Sequence, residues 1–275
     1  MKFEILKSIV SRFWFKLTLV CIVFIAGIFL PSLSFSFIPP IGFILEKSAK
    51  TTGKEIYSID QEVIFNVLGE EVIVKENWLV EGDKNLKLSA YGQGALKQNV
   101  SIHTVYNSKV KTQFLGATRQ SVALTTDFFQ KYFFIRSSGS FTSYLSDLSI
   151  SPEVRISRVD GRIGYALGKP TETRYHPQIW IDQEEFMVRK IRLPSETEVE
   201  LSDFQEVKAG FQIARTQKIT WGGVSATVKV MKVTPKPKES LNAFYPQYLD
   251  TPSVLSFPDT NAMSDVITNF YKRFR

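Results

Sequence analysis

Residues 57–67 read YSIDQEVIFNV. Tyr57, Ile59, Gln61, Val63, Phe65 and Val67 form an odd-numbered, mostly apolar set, and Ser58, Asp60, Glu62 and Asn66 stand between them. A period of two with one apolar face is the pattern of a half-buried β-strand. Gly69, followed by two glutamates, turns the chain into a second strand over 72–80 that carries Val74 and Trp78. Gly82-Asp83 turns it again into 86–91. Val100, Ile102 and Thr104 mark a fourth strand, and 110–115 reads as a fifth. Short strands joined by Gly, Asp and Asn turns predict an antiparallel meander.

Further along, the period changes. Phe128, Phe129, Tyr132 and Phe133 fall at i, i+1, i+4 and i+5, behind a Thr126-Asp127 cap. Phe141, Tyr144, Leu145 and Leu148 fall at i, i+3, i+4 and i+7. Two short helices are expected, over 126–136 and 140–148, inside an insertion of about 116–152 that Pro152 closes. Strands then resume. Residues 154–159 and 163–167 flank Asp160-Gly161, a tight-turn pair. Residues 178–181 and 186–193 flank an acidic turn. Strands over 198–204, 212–221 and 224–233 follow, with Gly222-Gly223 as a hairpin turn. The tail, 235–275, is spaced by prolines. It ends in an amphipathic helix with Met263, Val266, Ile267, Phe270 and Phe274 on one face and caps at 259–261. Upstream, Ile41, Ile44, Leu45 and Ala49 predict a helix over 40–51 that Gly53 stops.

The first 36 residues read differently. Lys2, Lys7, Arg12 and Lys16 precede an apolar run, LTLVCIVFIAGIFL at 17–30, and Pro31, Ser32, Ser34 and Ser36 follow. This is the layout of a secretory signal peptide, with cleavage after Ser36 or Ser34. The same segment, extended on both sides, also suits a retained anchor. Either way the positive end stays inside and the remainder lies across the membrane, in a periplasmic setting. Cys21, the only cysteine, is a filler of the apolar run, because Val20 before it and Ile22 after it do not suit a lipoprotein signal. The remainder therefore has no disulfide framework or thiolate metal site.

Formal charge is +7, and setting aside residues 1–36, with four basic groups and one acid, leaves +4. No basic stripe accompanies it, so a nucleic-acid partner is not expected. His103 and His176 read as a strand-surface and a loop histidine, and Asp182, Glu184 and Glu185 as a solvated hairpin tip. No H-x-x-x-H, G-x-S-x-G or Walker loop occurs. No enzyme activity, cofactor or metal is expected. The aromatic content, 22 Phe, 10 Tyr and 4 Trp, suits either a packed core or a cavity for an apolar ligand.

The order of elements resembles the LolA/LolB-type lipoprotein-carrier fold. So do local stretches: Gly53-Lys54-Glu55-Ile56-Tyr57 opening the first strand, Trp180-Ile181-Asp182 with Phe186 and Lys190-Ile191 in the central hairpin, and 207–213 followed by the strand 216–221. No position here is matched to that family's functional arginine or hook loop, and the proline-rich tail departs from a short carrier. The resemblance implies a mainly β fold: a strongly curved antiparallel sheet, an unclosed half-barrel, with helices packed on its concave face. It implies an exported carrier of lipid acyl chains or lipoproteins. The expected lining is Phe65, Val74, Trp78, Phe128, Phe129, Tyr132, Phe133, Phe141, Tyr144, Leu145, Leu148, Trp180 and Ile191. The alternative is a membrane-anchored interaction or sensor module on the same fold, with an envelope protein as partner.

Overall fold

The computed structural model describes residues 38–53, 55–82, 85–107, 109–115, 118–170, 175–208, 210–235 and 241–275. The segment read as export signal or anchor, 1–36, lies outside them. Six strands come first: β1 Tyr57–Val67, β2 Glu70–Glu81, β3 Asn85–Gly92, β4 Val100–Asn107, β5 Val110–Leu115 and β6 Thr118–Ala123. Seven more follow the insertion: β7 Val154–Val159, β8 Arg162–Leu167, β9 Gln178–Asp182, β10 Val188–Arg192, β11 Glu198–Lys208, β12 Phe211–Trp221 and β13 Val224–Pro235. All pair antiparallel in the order β6-β5-β4-β3-β2-β1-β13-β12-β11-β10-β9-β8-β7. The two meanders join where β13 pairs with β1. β6 and β7 do not pair with each other, so the curved sheet stays unclosed.

Turn chemistry sets the register. Val67 faces Glu70 across Leu68 and Gly69, both at positive φ (54° and 85°). Asp160-Gly161 and Gly222-Gly223 adopt the same two-residue geometry, which matches the twist of the flanking strands. This register puts Ile59, Val63, Phe65, Val74, Trp78 and Val80 on the concave side, in a single buried core.

Three helices pack on that side: α1 Ile41–Ala49, α2 Ser138–Asp147 and α3 Ala262–Phe274. α1 buries Ile44, Leu45, Ser48 and Ala49 and packs against α2. α2 opens on a capping box between Ser137 and Ser140 and buries Phe141, Tyr144 and Leu145. Thr52 links α1 to the insertion, donating from its hydroxyl to the carbonyls of Ala49 (2.9 Å) and Ile135.

The insertion differs from expectation at its start. Residues 118–123 form the edge strand β6, not helix, and every residue of it is exposed. A polar edge strand has no apolar alternation for pattern reading to find. The first expected helix is a 3-10 stretch, Phe129–Phe134, with no side-chain cap. Asp127 does not cap it; its Oδ2 binds Arg273 of α3 (2.5 Å).

The tail crosses both faces of the sheet. The turn Leu241–Phe244 packs on β3, and Phe244 and Leu249 are buried with Leu79 and Val105 outside the concave core. Ser253 then donates its backbone N–H to the Phe114 carbonyl (2.7 Å), and β14, Val254–Leu255, pairs with β4 at Val100 and Ser101. This strand covers His103, which is buried and not at the surface as expected. The His103 N–H donates to Ser253 Oγ (2.9 Å), its ring meets Tyr91, and burial lowers its pKa. α3 follows on the concave side. No helix among the described residues is long and apolar enough to cross a membrane.

Candidate functional site on the concave face

α3 starts on a capping box in which Asn261 and Ser264 satisfy each other's backbone N–H groups, each at 2.8 Å. Its apolar stripe, Val266, Ile267, Phe270, Tyr271 and Phe274, is buried. Phe270 meets Phe65 edge-on at 5.1 Å and Trp221 at 5.7 Å, and Phe274 meets Trp221 at 5.1 Å. Arg273 is held by Asp127 and by the Ser195 carbonyl and Thr197 hydroxyl of the β10–β11 turn.

Beyond α3, Arg275 enters the core. It forms an ion pair with Glu76 of β2, from Nε to Oε1 at 3.0 Å, with both side chains 0% exposed. The same carboxylate accepts from Gln61 Nε2 (2.6 Å) and Trp78 Nε1 (3.1 Å). The guanidinium stands over the rings of Phe270 (4.7 Å), Trp78 (5.4 Å) and Phe129 (5.7 Å). With its amide turned to satisfy both partners, Gln130 donates to the Phe274 carbonyl (3.0 Å) and accepts from Arg275 Nη1. Lys111 donates to the backbone oxygen of Arg275, and burial pulls its ammonium pKa down to about 8. A buried ion pair needs hydrogen bonds to the rest of both groups; here Gln61, Trp78 and Gln130 supply them and Arg275 Nη2 is left without one. Tyr106, stacked on Phe128 at 4.6 Å and on Trp78 at 5.5 Å, and Tyr271 have pKa values raised by burial.

The structure divides the expected lining residues into four groups. Phe65, Val74, Trp78 and Phe128 belong to the core that faces α3 and Tyr106. Phe129, Tyr132, Phe133 and Ile191 line a cavity of about 30 Å3, together with Thr52, Tyr57, Leu201, Phe204, Phe211 and Ile213. Burial raises the Tyr132 pKa to about 12. Phe141, Tyr144, Leu145 and Leu148 are buried around α2 and do not line that cavity. Trp180 is on the other face of the sheet from Ile179 and Ile181, which belong to the concave core. It is buried there beneath Arg192 and Lys190, whose charged groups stand 5.2 and 5.8 Å from its ring.

A larger cleft of about 330 Å3 shares Thr52, Tyr57 and Phe211 with the small cavity, and Lys50, Glu55 and Lys208 stand along it. The acidic hairpin tip is not fully solvated: Asp182 is buried, and its Oδ1 accepts from the N–H groups of Glu184 and Glu185, both at 2.9 Å. Among the described residues no three His, Cys, Asp or Glu side chains are grouped so as to hold a metal ion. Sequence reading missed Glu76 and Arg275. The signal for Glu76 was available, since it shares the inward parity of Val74 and Trp78 and faces Gln61 across the ladder.

The amino-acid sequence matches no protein-family model and no curated protein. Solved structures match the fold. A domain assigned to outer membrane lipoprotein sorting, from Vibrio parahaemolyticus, aligns with a TM-score of 0.54 at 12% identity, over 76% of this chain and 97% of that one. A LolA superfamily protein from Nitrosomonas europaea aligns at 0.52 and 13% identity, over 74% and 96%. A DUF1329 family protein from Desulfovibrio piger aligns at 0.54 and 12% identity, over 77% and 100%. The chain has a LolA-like fold.

Proposed function

We propose that this protein is an exported, periplasmic carrier that holds acyl chains of a lipid or lipoprotein against the concave face of its sheet, with no catalytic step. One observation carries the reading. On a LolA-like sheet, Phe129, Tyr132, Phe133 and Ile191 converge on an apolar cavity that adjoins the cleft at Lys50 and Lys208. At about 30 Å3 the cavity has room for roughly one or two water molecules. An acyl chain therefore enters only if side chains or helices on the concave face move. Each methylene it buries contributes about 0.8 kcal/mol, so a chain of ordinary length can offset such a movement.

The test is mass spectrometry of lipid that co-purifies with the folded protein, followed by fatty-acid titration read by tryptophan fluorescence. A saturable response is expected. Phe133→Ala, at a half-buried position, is expected to stay folded and to weaken binding about tenfold, a change of roughly 1.4 kcal/mol. If wild type shows no saturable response and Phe133→Ala simply unfolds, the aromatics are core and the carrier reading fails. The packing of α3 into the groove favours a second reading, an envelope interaction or sensor module whose concave face is permanently filled. That outcome would leave it as the better account.

A further inference from the structure

Glu76 is a buried carboxylate on a mostly apolar face, and the rings of Trp78 and Phe129 wall its site independently of α3. A carboxylate with aromatic walls is a cation site, because ring quadrupoles and the acid attract the same charge. The cation now in it arrives at the end of a helix. α3 is 13 residues long, about 20 Å at 1.5 Å per residue. It lays an apolar stripe along the groove and delivers a positive head to its bottom. A single-chain amphiphile with a cationic head has the same layout.

The tail bonds to the sheet at β4, β5 and β6, where Ser253 meets Phe114 and His103 and Arg119 donates to the Leu249 carbonyl, and none of these bonds is to β1 or β13. β14 contributes two residue pairs to β4, so α3 can leave without opening the β1–β13 ladder. What replaces it must meet Glu76. An anionic head would put like charge beside the carboxylate. A neutral head would leave it desolvated and without a counter-charge. A cationic head restores what Arg275 supplied.

We propose that the groove filled by α3 is the ligand groove and that Glu76 gives it a preference for an alkyl or acyl amphiphile with a cationic, ammonium-type head, Arg275 holding that place within the chain. This rests on the carrier reading above.

The experiment titrates the folded protein with dodecylamine and with dodecanoate, both below their micelle concentrations. Fluorescence of Trp78 and Trp221, which touch Arg275 and Phe274, and hydrogen exchange across 262–274 report release of α3. Dodecylamine is expected to bind at least tenfold tighter than dodecanoate and to abolish protection of 262–274. Glu76→Gln is expected to erase the preference. Arg275→Gln is expected to raise dodecylamine affinity severalfold more than dodecanoate affinity, and this variant decides the matter if Glu76→Gln does not fold. Equal binding of the two, tighter dodecanoate binding, or a preference that survives Glu76→Gln overturns the inference while the carrier reading stands. If neither amphiphile binds wild type or Arg275→Gln, both fail. If only a peptide with the sequence of 262–275 competes for the groove, it is a helix-binding site and the inference is wrong.

Discussion

At the residue scale, two positions work in opposite senses. Leu68 occupies a hairpin turn at φ 54° and is 93% exposed. A non-glycine residue in the left-handed region costs roughly 1–2 kcal/mol, less for asparagine. Leu68→Asn is expected to stabilise the protein by about 1 kcal/mol, seen as a higher denaturant midpoint at unchanged slope; a lower midpoint would mean that the side chain has a partner. Arg275 is the reverse case. Arg275→Ala leaves Glu76 uncompensated and is expected to cost about 3 kcal/mol, whereas pairing Glu76→Met with Arg275→Met should recover most of the loss. If the double variant is as unstable as the single one, the loss comes from packing and not from charge. By contrast, removing the exposed Lys50–Glu46 pair should change nothing measurable. Legibility at this scale followed strand parity and failed where parity is silent. Strand parity puts Phe65, Val74 and Trp78 on the concave side, because the other side of their strands is half-exposed. β9 is buried on both faces, since Lys190 and Arg192 lay their stems over Trp180. Composition there gives no inside or outside, and Trp180 lies on the face opposite to the expected one.

At the scale of elements, α3 is the part that the sequence describes well and locates poorly. Its stripe and caps were legible, because 3.6-residue spacing and the cap residues at 259–261 are local facts. The surface that the stripe meets is decided by the whole fold. The 3-10 stretch Phe129–Phe134 shows the same limit from the other side. Its aromatic spacing suits an α-helix, but Arg275 and the small cavity both claim contacts with it, and tertiary packing overrides a weak local preference. The cap of α3 gives a direct test of how firmly it is seated. Asn261→Ala removes the acceptor for the Ser264 N–H (2.8 Å) and is expected to cost about 1 kcal/mol. If α3 leaves as a unit, that cost appears as roughly fivefold faster hydrogen exchange across 262–274, with the β1–β13 ladder unaffected. Uniform acceleration in both regions would show instead that α3 and the sheet open only together.

At the scale of the molecule, the antiparallel order and concave helices were legible because strand spacing and turn residues are dense in this chain, whereas the strap over the outer face was hidden in a proline-rich tail without periodicity. One global property follows from the phenols that the fold desolvates, most of them on the concave side. Burial raises the pKa of Tyr57, Tyr106, Tyr132, Tyr144, Tyr175 and Tyr271, to about 12 for Tyr57 and Tyr132. These six keep their protons in the folded chain after the unfolded chain has lost them near pH 10. Their contribution to stability is thus complete below pH 10 and falls as pH rises through 12, by up to about 1.4 kcal/mol per pH unit for each buried phenol. Lys111 has the opposite sign. Its folded pKa of about 8 lies below the unfolded value, so its contribution is lost as pH falls through 8 and present above about 10.5. One lysine rising against six tyrosines falling predicts a stability that holds or climbs slightly from pH 8 to 10 and collapses beyond it. Denaturant midpoints at pH 7, 9 and 11, with tyrosinate absorbance followed in parallel, check this. Tyrosinate absorbance from Tyr57 and Tyr132 should appear only with unfolding. Tyr57→Phe and Tyr132→Phe should each flatten the alkaline fall. If Tyr57, Tyr106, Tyr132, Tyr144 and Tyr271 titrate near pH 10 while the sheet stays native, water already reaches the concave face, and α3 and the aromatic insertion do not close the groove.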